Sequence, residues 1–223
     1  MHKVTKENNF IYLTVSLIGL LVFSALIDSI PSGFAHLFLQ CIVFATFVIA
    51  YLSLNFGLIW RRFVGTLVVL LVLSSALHEF LAWQYAGLLD LVLMLLFFVG
   101  AAYGCSLQVL FSGRIDPNII VGSVAIYLLL GLLWSVLYLL ALELSPGAFN
   151  GMIQQDWADN FPISTYFSYV TLTTLGYGDI SPAAPVSRVL VYLEAISGTF
   201  YMAVVVASLV SASRSGCKHE FEK

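Results

Sequence analysis

Charged positions divide the chain into long uninterrupted apolar windows. No Asp, Glu, Lys or Arg occurs in residues 8–27, 29–60, 63–78, 91–113, 117–142 or 195–213. A helix needs about 20 apolar residues to cross the hydrocarbon core of a bilayer. Most windows reach that length directly, and 63–78 reaches it when extended to 63–83 with His78 and Glu79 near a helix end. The pattern predicts six spanning helices, near 10–29, 34–57, 63–83, 88–110, 118–143 and 185–212. The predicted breaks are Pro31-Ser32-Gly33, Trp60-Arg61-Arg62, 84–87 and 113–117, and 145–184 is the one long connection.

Composition agrees with this pattern. Of 223 residues, 61% are hydrophobic and 9% charged, against roughly 25% charged in an ordinary soluble domain. So few charges cannot cover a soluble surface, which argues against a soluble enzyme, a nucleic-acid binder and a disordered chain. Cys41, Cys105 and Cys217 are widely spaced, the first two inside apolar runs, and read as small apolar fillers rather than a disulfide or zinc framework. The net charge of −3 implies no partner.

The positions of the charges set an orientation. With a cytoplasmic N-terminus, Lys3, Lys6, Arg61, Arg62, Arg114, Arg214, Lys218 and Lys223 lie inside and only Arg188 outside. Basic residues favour the cytoplasmic side, so both termini are expected in the cytoplasm of a multi-pass cell (plasma or inner) membrane protein. The first apolar run is read as a span rather than a cleaved leader. Asp28, Glu79, Asp90, Glu143, Asp156, Asp159 and Asp179 fall at or near the outer side. An acidic outer face raises local cation concentration, although loop solubility accounts equally well for the first three.

The long connection carries Tyr169-Val170-Thr171-Leu172-Thr173-Thr174-Leu175-Gly176-Tyr177-Gly178-Asp179. Upstream, Asp159-Asn160-Phe161-Pro162 reads as a helix start, an Asx cap followed by proline in the first turn. About 12 residues from Pro162 to Thr173 would make a helix of about 18 Å, too short to cross and suited to a re-entrant segment. Irregular backbone at membrane depth is tolerated only when buried in protein or lining a cavity. Gly176 and Gly178 alternate with larger residues. Positive φ at such glycines lets successive carbonyls turn to one side, where they replace a cation's water shell. Thr174 would add its hydroxyl, Tyr177 would wedge the strand against surrounding protein, and the helix would aim its negative end at the cation.

Thr174-Leu175-Gly176-Tyr177-Gly178-Asp179 resembles the selectivity-filter signature of tetrameric potassium channels, with Leu175 where the usual motif has Val. The resemblance covers about residues 118–213. It implies an all-α membrane protein with six transmembrane helices, a re-entrant pore helix and selectivity filter, and a tetrameric pore. Residues 1–113 would form a four-helix transmembrane domain, 114–213 the pore domain and 214–223 a short cytoplasmic tail. By resemblance, Thr174, Leu175, Gly176, Tyr177 and Gly178 form the potassium-coordinating filter, and Asp179 stands at the outer mouth. Gly198, 19 residues beyond Asp179, falls where the family often has its inner-helix hinge. Close helix packing is the competing account of that glycine. Thr199, Met202 and Val206 share one helical face and would line the cavity.

Glu194 lies near the middle of the sixth predicted helix, where a carboxyl is costly and a functional candidate. It precedes Thr199 by five residues, roughly 140° around the helix. It is therefore expected behind the filter as its support, hydrogen-bonded to a pore-helix group; proton sensing and passive burial are the other accounts.

Six helices with the pore last resemble the architecture of voltage-gated potassium channels, which carry repeated arginines on helix four, whereas 91–113 here has no Lys or Arg. No steep voltage dependence is expected from this region. Gly100 and Gly104 are candidate breaks that would leave 105–116 as an interfacial linker. His78, Glu79 and Asp90 read as interface-exposed polar helix ends rather than an outer proton or cation site. The nine residues beyond Arg214 are expected to hold no ligand-binding domain, and Cys217 and His219 there to be unstructured rather than a metal pair. The expected function is passive potassium conduction by a homotetramer in a lipid bilayer. It is not an enzyme, and needs no cofactor beyond the permeant ion and no nucleic acid. A potassium-dependent transporter and a nonconducting sensor or modulatory subunit are the alternatives.

Overall fold

The computed structural model of the chain describes residues 9–26, 32–53, 58–81, 85–110 and 117–206. Five helices come first: α1 (Asn9–Leu26), α2 (Ser32–Ser53), α3 (Leu58–Leu81), α4 (Ala86–Leu110) and α5 (Pro117–Leu144). A two-residue strand β1 (Phe149–Asn150), helix α6 (Trp157–Leu172), a second short strand β2 (Ser181–Pro182) and helix α7 (Pro185–Phe200) follow. A π-helical turn, Tyr201–Val206, continues α7. Among the described residues, three helices are long and apolar enough to cross a membrane: Asn9–Leu26, Ala86–Val109 and Pro117–Leu144. Shorter apolar stretches occupy Phe38–Ser53 and Arg62–Ser74.

These helices are apolar all round. On α1, Phe10, Leu13, Leu17 and Leu20 are buried while Ile11, Val15, Ile18 and Val22 are exposed. A helix with no polar face needs an apolar solvent outside as well as an apolar core inside. Helix α5 is central and packs against α1, α4, α6 and α7. Phe47 of α2 stacks on Phe97 of α4, ring centroids 3.5 Å apart, and Phe98 meets both rings edge-on. Asn9 donates to Gln108 Oε1 at 3.1 Å and accepts from Asn118 Nδ2 at 2.9 Å, which ties α1, α4 and α5 at one end.

Several predicted features move. Trp60-Arg61-Arg62 is not a break: these residues lie in the first turns of α3. A charge marks where an apolar run ends, not where the backbone stops bonding, and a helix satisfies its own backbone on either side of that boundary. Helix α4 runs unbroken through Gly100 and Gly104 to Leu110, so 105–110 is helix and not linker. Gly100 instead gives room to an aromatic neighbour, because a Cβ there would lie 2.8 Å from the Phe63 ring. Asp90 is not interface-exposed but buried, 2% accessible. The side chains of His78 and Glu79, the 207–212 end of the sixth predicted helix and the tail with Cys217 and His219 lie outside the described residues.

The 145–184 connection is organised by elements that the hydrophobic pattern does not announce. β1 pairs antiparallel with β2, Phe149 opposite Pro182 and Asn150 opposite Ser181. Beneath this ladder, Tyr138, Leu142, Phe149, Met152, Phe167 and Ile180 form a small second core. Ser187 Oγ donates to Ala148 O at 2.6 Å, fastening the start of α7 to the same loop.

Candidate functional site

Helix α6 starts earlier than its sequence implies. Its cap is Asp156, whose carboxylate accepts from Ala158 N at 3.1 Å, not Asp159 or Asn160. Asn160 instead donates its amide to Ile153 O at 2.9 Å and pins the incoming loop. Pro162 lies inside the helix rather than in its first turn. Proline there cannot donate to the Ala158 carbonyl and crowds it, so the helix is held at this point by its packing rather than by an unbroken backbone ladder. The helix has 16 residues, about 24 Å at 1.5 Å per residue, still short of a bilayer core.

One face of α6 is fastened to α5 by hydroxyls. Ser164 Oγ donates to Ser135 O at 2.7 Å, and Ser135 Oγ lies 3.0 Å from Thr165 Oγ1. Tyr169 Oη donates to Leu128 O at 2.6 Å. Gly131 makes the Tyr169 contact possible, since a Cβ there would run into the Tyr169 ring. None of these residues stood out in the sequence. The available signal was the density of Ser and Thr in 164–174, where an otherwise apolar chain turns polar.

The end of α6 sets up the glycine-bearing segment. A helix leaves its last carbonyls without partners. Here the following residues supply them: Thr173 N bonds Tyr169 O at 3.1 Å and Thr174 N bonds Thr171 O at 2.9 Å. Leu175 N and Gly176 N both bond Val170 O, at 2.9 and 3.3 Å. The φ angles are +59° at Thr174, +56° at Gly176 and +81° at Gly178. Leu175 and Tyr177 between them keep negative φ. Alternating left- and right-handed residues turn successive N–H groups into one concavity. In this chain the Val170 carbonyl fills that concavity. The N–H groups are thus spent on α6, and the carbonyls of the same peptides are turned away from it. Thr174 is the only non-glycine with positive φ among the described residues. A β-branched residue pays for that conformation, typically 1–3 kcal/mol, and such outliers cluster at functional sites.

Residues 173–179 are all exposed in the single chain. Tyr177, expected to wedge against surrounding protein, is 67% exposed. Tyr166 Oη donates to Asp179 Oδ2 at 2.7 Å, and Ile180 N donates to Asp179 Oδ1 at 3.1 Å. The two bonds fix the acid at the far end of the segment from α6.

Glu194 is fully buried on α7. Ser168 Oγ of α6 lies 2.6 Å from Glu194 Oε1, and Tyr138 Oη of α5 bonds Glu194 Oε2. Ser168 Oγ also lies 2.6 Å from Gly131 O. Gly198, one turn on, faces the last residue of α6: a Cβ there would run into the Leu172 carbonyl oxygen. Thr199 and Met202 lie on an exposed face, and the Val206 side chain is outside the described residues. Tyr201 Oη, at the start of the π-turn, bonds Ser123 O of α5.

Residues 124–214 match the family model for ion channels. The match spans less than half of the chain and covers most of α5, all of α6, the glycine-bearing segment and α7. No curated protein and no solved structure matches the chain. The ion-channel match supports passive ion conduction as the class of function, and with the apolar helices it supports a membrane protein.

Proposed function

We propose that the chain is one subunit of a potassium-selective channel, a homotetramer in the cell membrane with both termini cytoplasmic. Residues 114–213 form the pore domain, with α5 as outer helix, α6 as re-entrant pore helix and α7 as inner helix. Residues 1–113 form a four-helix domain of six-helix topology. Potassium passes along the backbone carbonyls of Thr174, Leu175, Gly176, Tyr177 and Gly178. Asp179 holds the outer mouth, Glu194 supports the filter from behind, and Thr199, Met202 and Val206 line the cavity.

One observation carries this reading. Positive φ recurs at every second residue from Thr174 to Gly178, with two successive N–H groups spent on Val170 O. That arrangement frees a row of carbonyls to take the place of a cation's hydration shell. A single strand of carbonyls surrounds nothing, and the exposed Leu175 and Tyr177 side chains leave a surface that three further copies would cover in a closed ring.

The test is a recording from purified protein in planar bilayers with unequal potassium and sodium. The current is expected to reverse near the potassium equilibrium potential, and light scattering to give four chains per particle. Equal permeability to sodium overturns the filter assignment. Flux coupled to movement of a second solute would favour the transporter, and no flux from a correctly folded tetramer the nonconducting subunit.

A further inference from the structure

Two contacts between α6 and α7 share one spacing. Ser168 and Leu172 are four residues apart on α6; Glu194 and Gly198, which meet them, are four apart on α7. Residues at i and i+4 lie on one helical face, so the helices meet along a single seam with two rungs. The upper rung is the Ser168–Glu194 hydrogen bond, braced from α5 by Tyr138. The lower rung is backbone contact, Gly198 against the Leu172 carbonyl. Between them on α6 is Val170, whose carbonyl receives both Leu175 N and Gly176 N.

Resting on the channel reading above, we propose that Glu194 and Gly198 are positioning residues for ion selectivity. Through these two rungs the inner helix holds the last turn of the pore helix, and with it the carbonyl row of the filter. Gly198 then serves as a contact and not as a flexing point. The irregular stretch of the inner helix lies below it, at the π-turn Tyr201–Val206, where Tyr201 is tied to Ser123 of α5. A bend at that turn leaves the rungs in place.

The hydrogen-bond inventory selects the variants. Ser168 Oγ has one proton and two acceptors in reach, Gly131 O and Glu194 Oε1. Glutamine at 194 donates its amide to Ser168 Oγ, leaving the serine proton for Gly131 O, and its carbonyl still accepts from Tyr138. Glu194→Gln therefore keeps the upper rung, whereas Glu194→Leu and Ser168→Ala remove it. Gly198→Ala forces the lower rung apart.

The readout is the reversal potential under potassium and sodium gradients, which reports selectivity and does not move with the amount of folded protein. The ratio of potassium to sodium permeability is expected to fall roughly tenfold in Ser168→Ala, a change equivalent to about 1.4 kcal/mol. A similar fall is expected in Glu194→Leu and Gly198→Ala. Glu194→Gln is expected to retain the wild-type ratio. The Ser168→Ala, Glu194→Leu double variant is expected to fall well short of the sum of the single ones, because the Ser168–Glu194 contact is lost in both. A wild-type ratio in Ser168→Ala overturns the proposal, whatever the yield of Glu194→Leu or Gly198→Ala protein. So does full additivity in the double variant. A wild-type protein that passes potassium and sodium equally overturns the channel reading itself and takes this proposal with it.

Discussion

Helices α1–α4 and helices α5–α7 are held together by different chemistry. Within α1–α4 the contacts are mostly carbon on carbon, among them Leu13, Leu17 and Leu20, Val64 and Leu67, and the Phe47, Phe97 and Phe98 rings, with polar ties such as Asn9–Gln108 at the margins. Between α5, α6 and α7 they are Ser135 with Ser164 and Thr165, Tyr169 with Leu128 O, and Tyr138 and Ser168 with Glu194. In lipid there is no hydrophobic drive to bring one apolar helix onto another. Close packing, small residues and polar ties do that work. An apolar interface tolerates a shift of register, because a leucine meets lipid or leucine at similar cost. A hydroxyl aimed at one carbonyl does not. The polar half of the molecule is thus the half whose geometry is fixed, and it is the half that matches the ion-channel family at 124–214.

The sharpest break in this comparison is expected at Gly178. Its φ is +81°, and an added Cβ would meet nothing within 4 Å in the single chain. Space is not the obstacle; the left-handed backbone is. Gly178→Ala is expected to abolish potassium-selective current while helical content and assembly stay near wild type. Circular dichroism and light scattering beside the recording separate the two. Selective current at normal size in this variant would contradict the carbonyl array.

Two glycine-to-alanine changes then set the regions against each other directly. At Gly131 of α5 a Cβ would strike the Tyr169 ring; at Gly100 of α4 it would strike the Phe63 ring, 2.8 Å away. The local insult is similar, and overpacking of this kind costs about 1–3 kcal/mol. The consequence should differ. Displacing Tyr169 breaks its bond to Leu128 O and moves the helix whose end carries the glycine-bearing segment. Gly131→Ala is therefore expected to lower the potassium-to-sodium permeability ratio at least several-fold. Gly100→Ala is expected to lower the midpoint of thermal unfolding in detergent and leave that ratio alone. Equal loss of selectivity in both would mean that α1–α4 hold the glycine-bearing segment as tightly as α5 does.

How far the sequence foretold this molecule follows the same division. The helices of both halves were legible because a charge-free window of sufficient length is a one-dimensional property. Their ends were less so. Trp60-Arg61-Arg62 looked like a loop and is helix, and Asp159-Asn160 looked like a cap while Asp156 is the cap. Charge and Asx residues mark several places where a helix is allowed to start, and tertiary contacts choose among them. The residues of the glycine-bearing segment were legible as a motif, whereas the positive φ at Thr174 was not, since threonine carries no preference for it. Ser135, Tyr138, Ser164, Ser168 and Tyr169 were missed for a related reason. A buried hydroxyl is informative only through its partner, and those partners lie 26 to 56 residues away along the chain.

The smallest effect is expected at Asp90, and it tests whether α4 belongs to the working half of the protein. Moving one elementary charge through the whole membrane field is worth about 2.3 kcal/mol per 100 mV, so steep gating needs several mobile charges per subunit. Residues 91–113 supply no Lys or Arg. Asp90 is the one charge of α4, near its start and 2% exposed among packed neighbours. A charge at a helix end crosses little of the field even if the helix shifts, and an acid answers voltage with the opposite sign to an arginine. Conductance in symmetric potassium is therefore expected to vary only shallowly with voltage. Asp90→Asn, nearly equal in shape, is expected to leave that curve in place even where it alters stability through the buried site. A steep sigmoid that flattens in Asp90→Asn would make α4 a sensor after all. It would also end the division drawn here, because the apolar half of the molecule would then be moving to open the polar one.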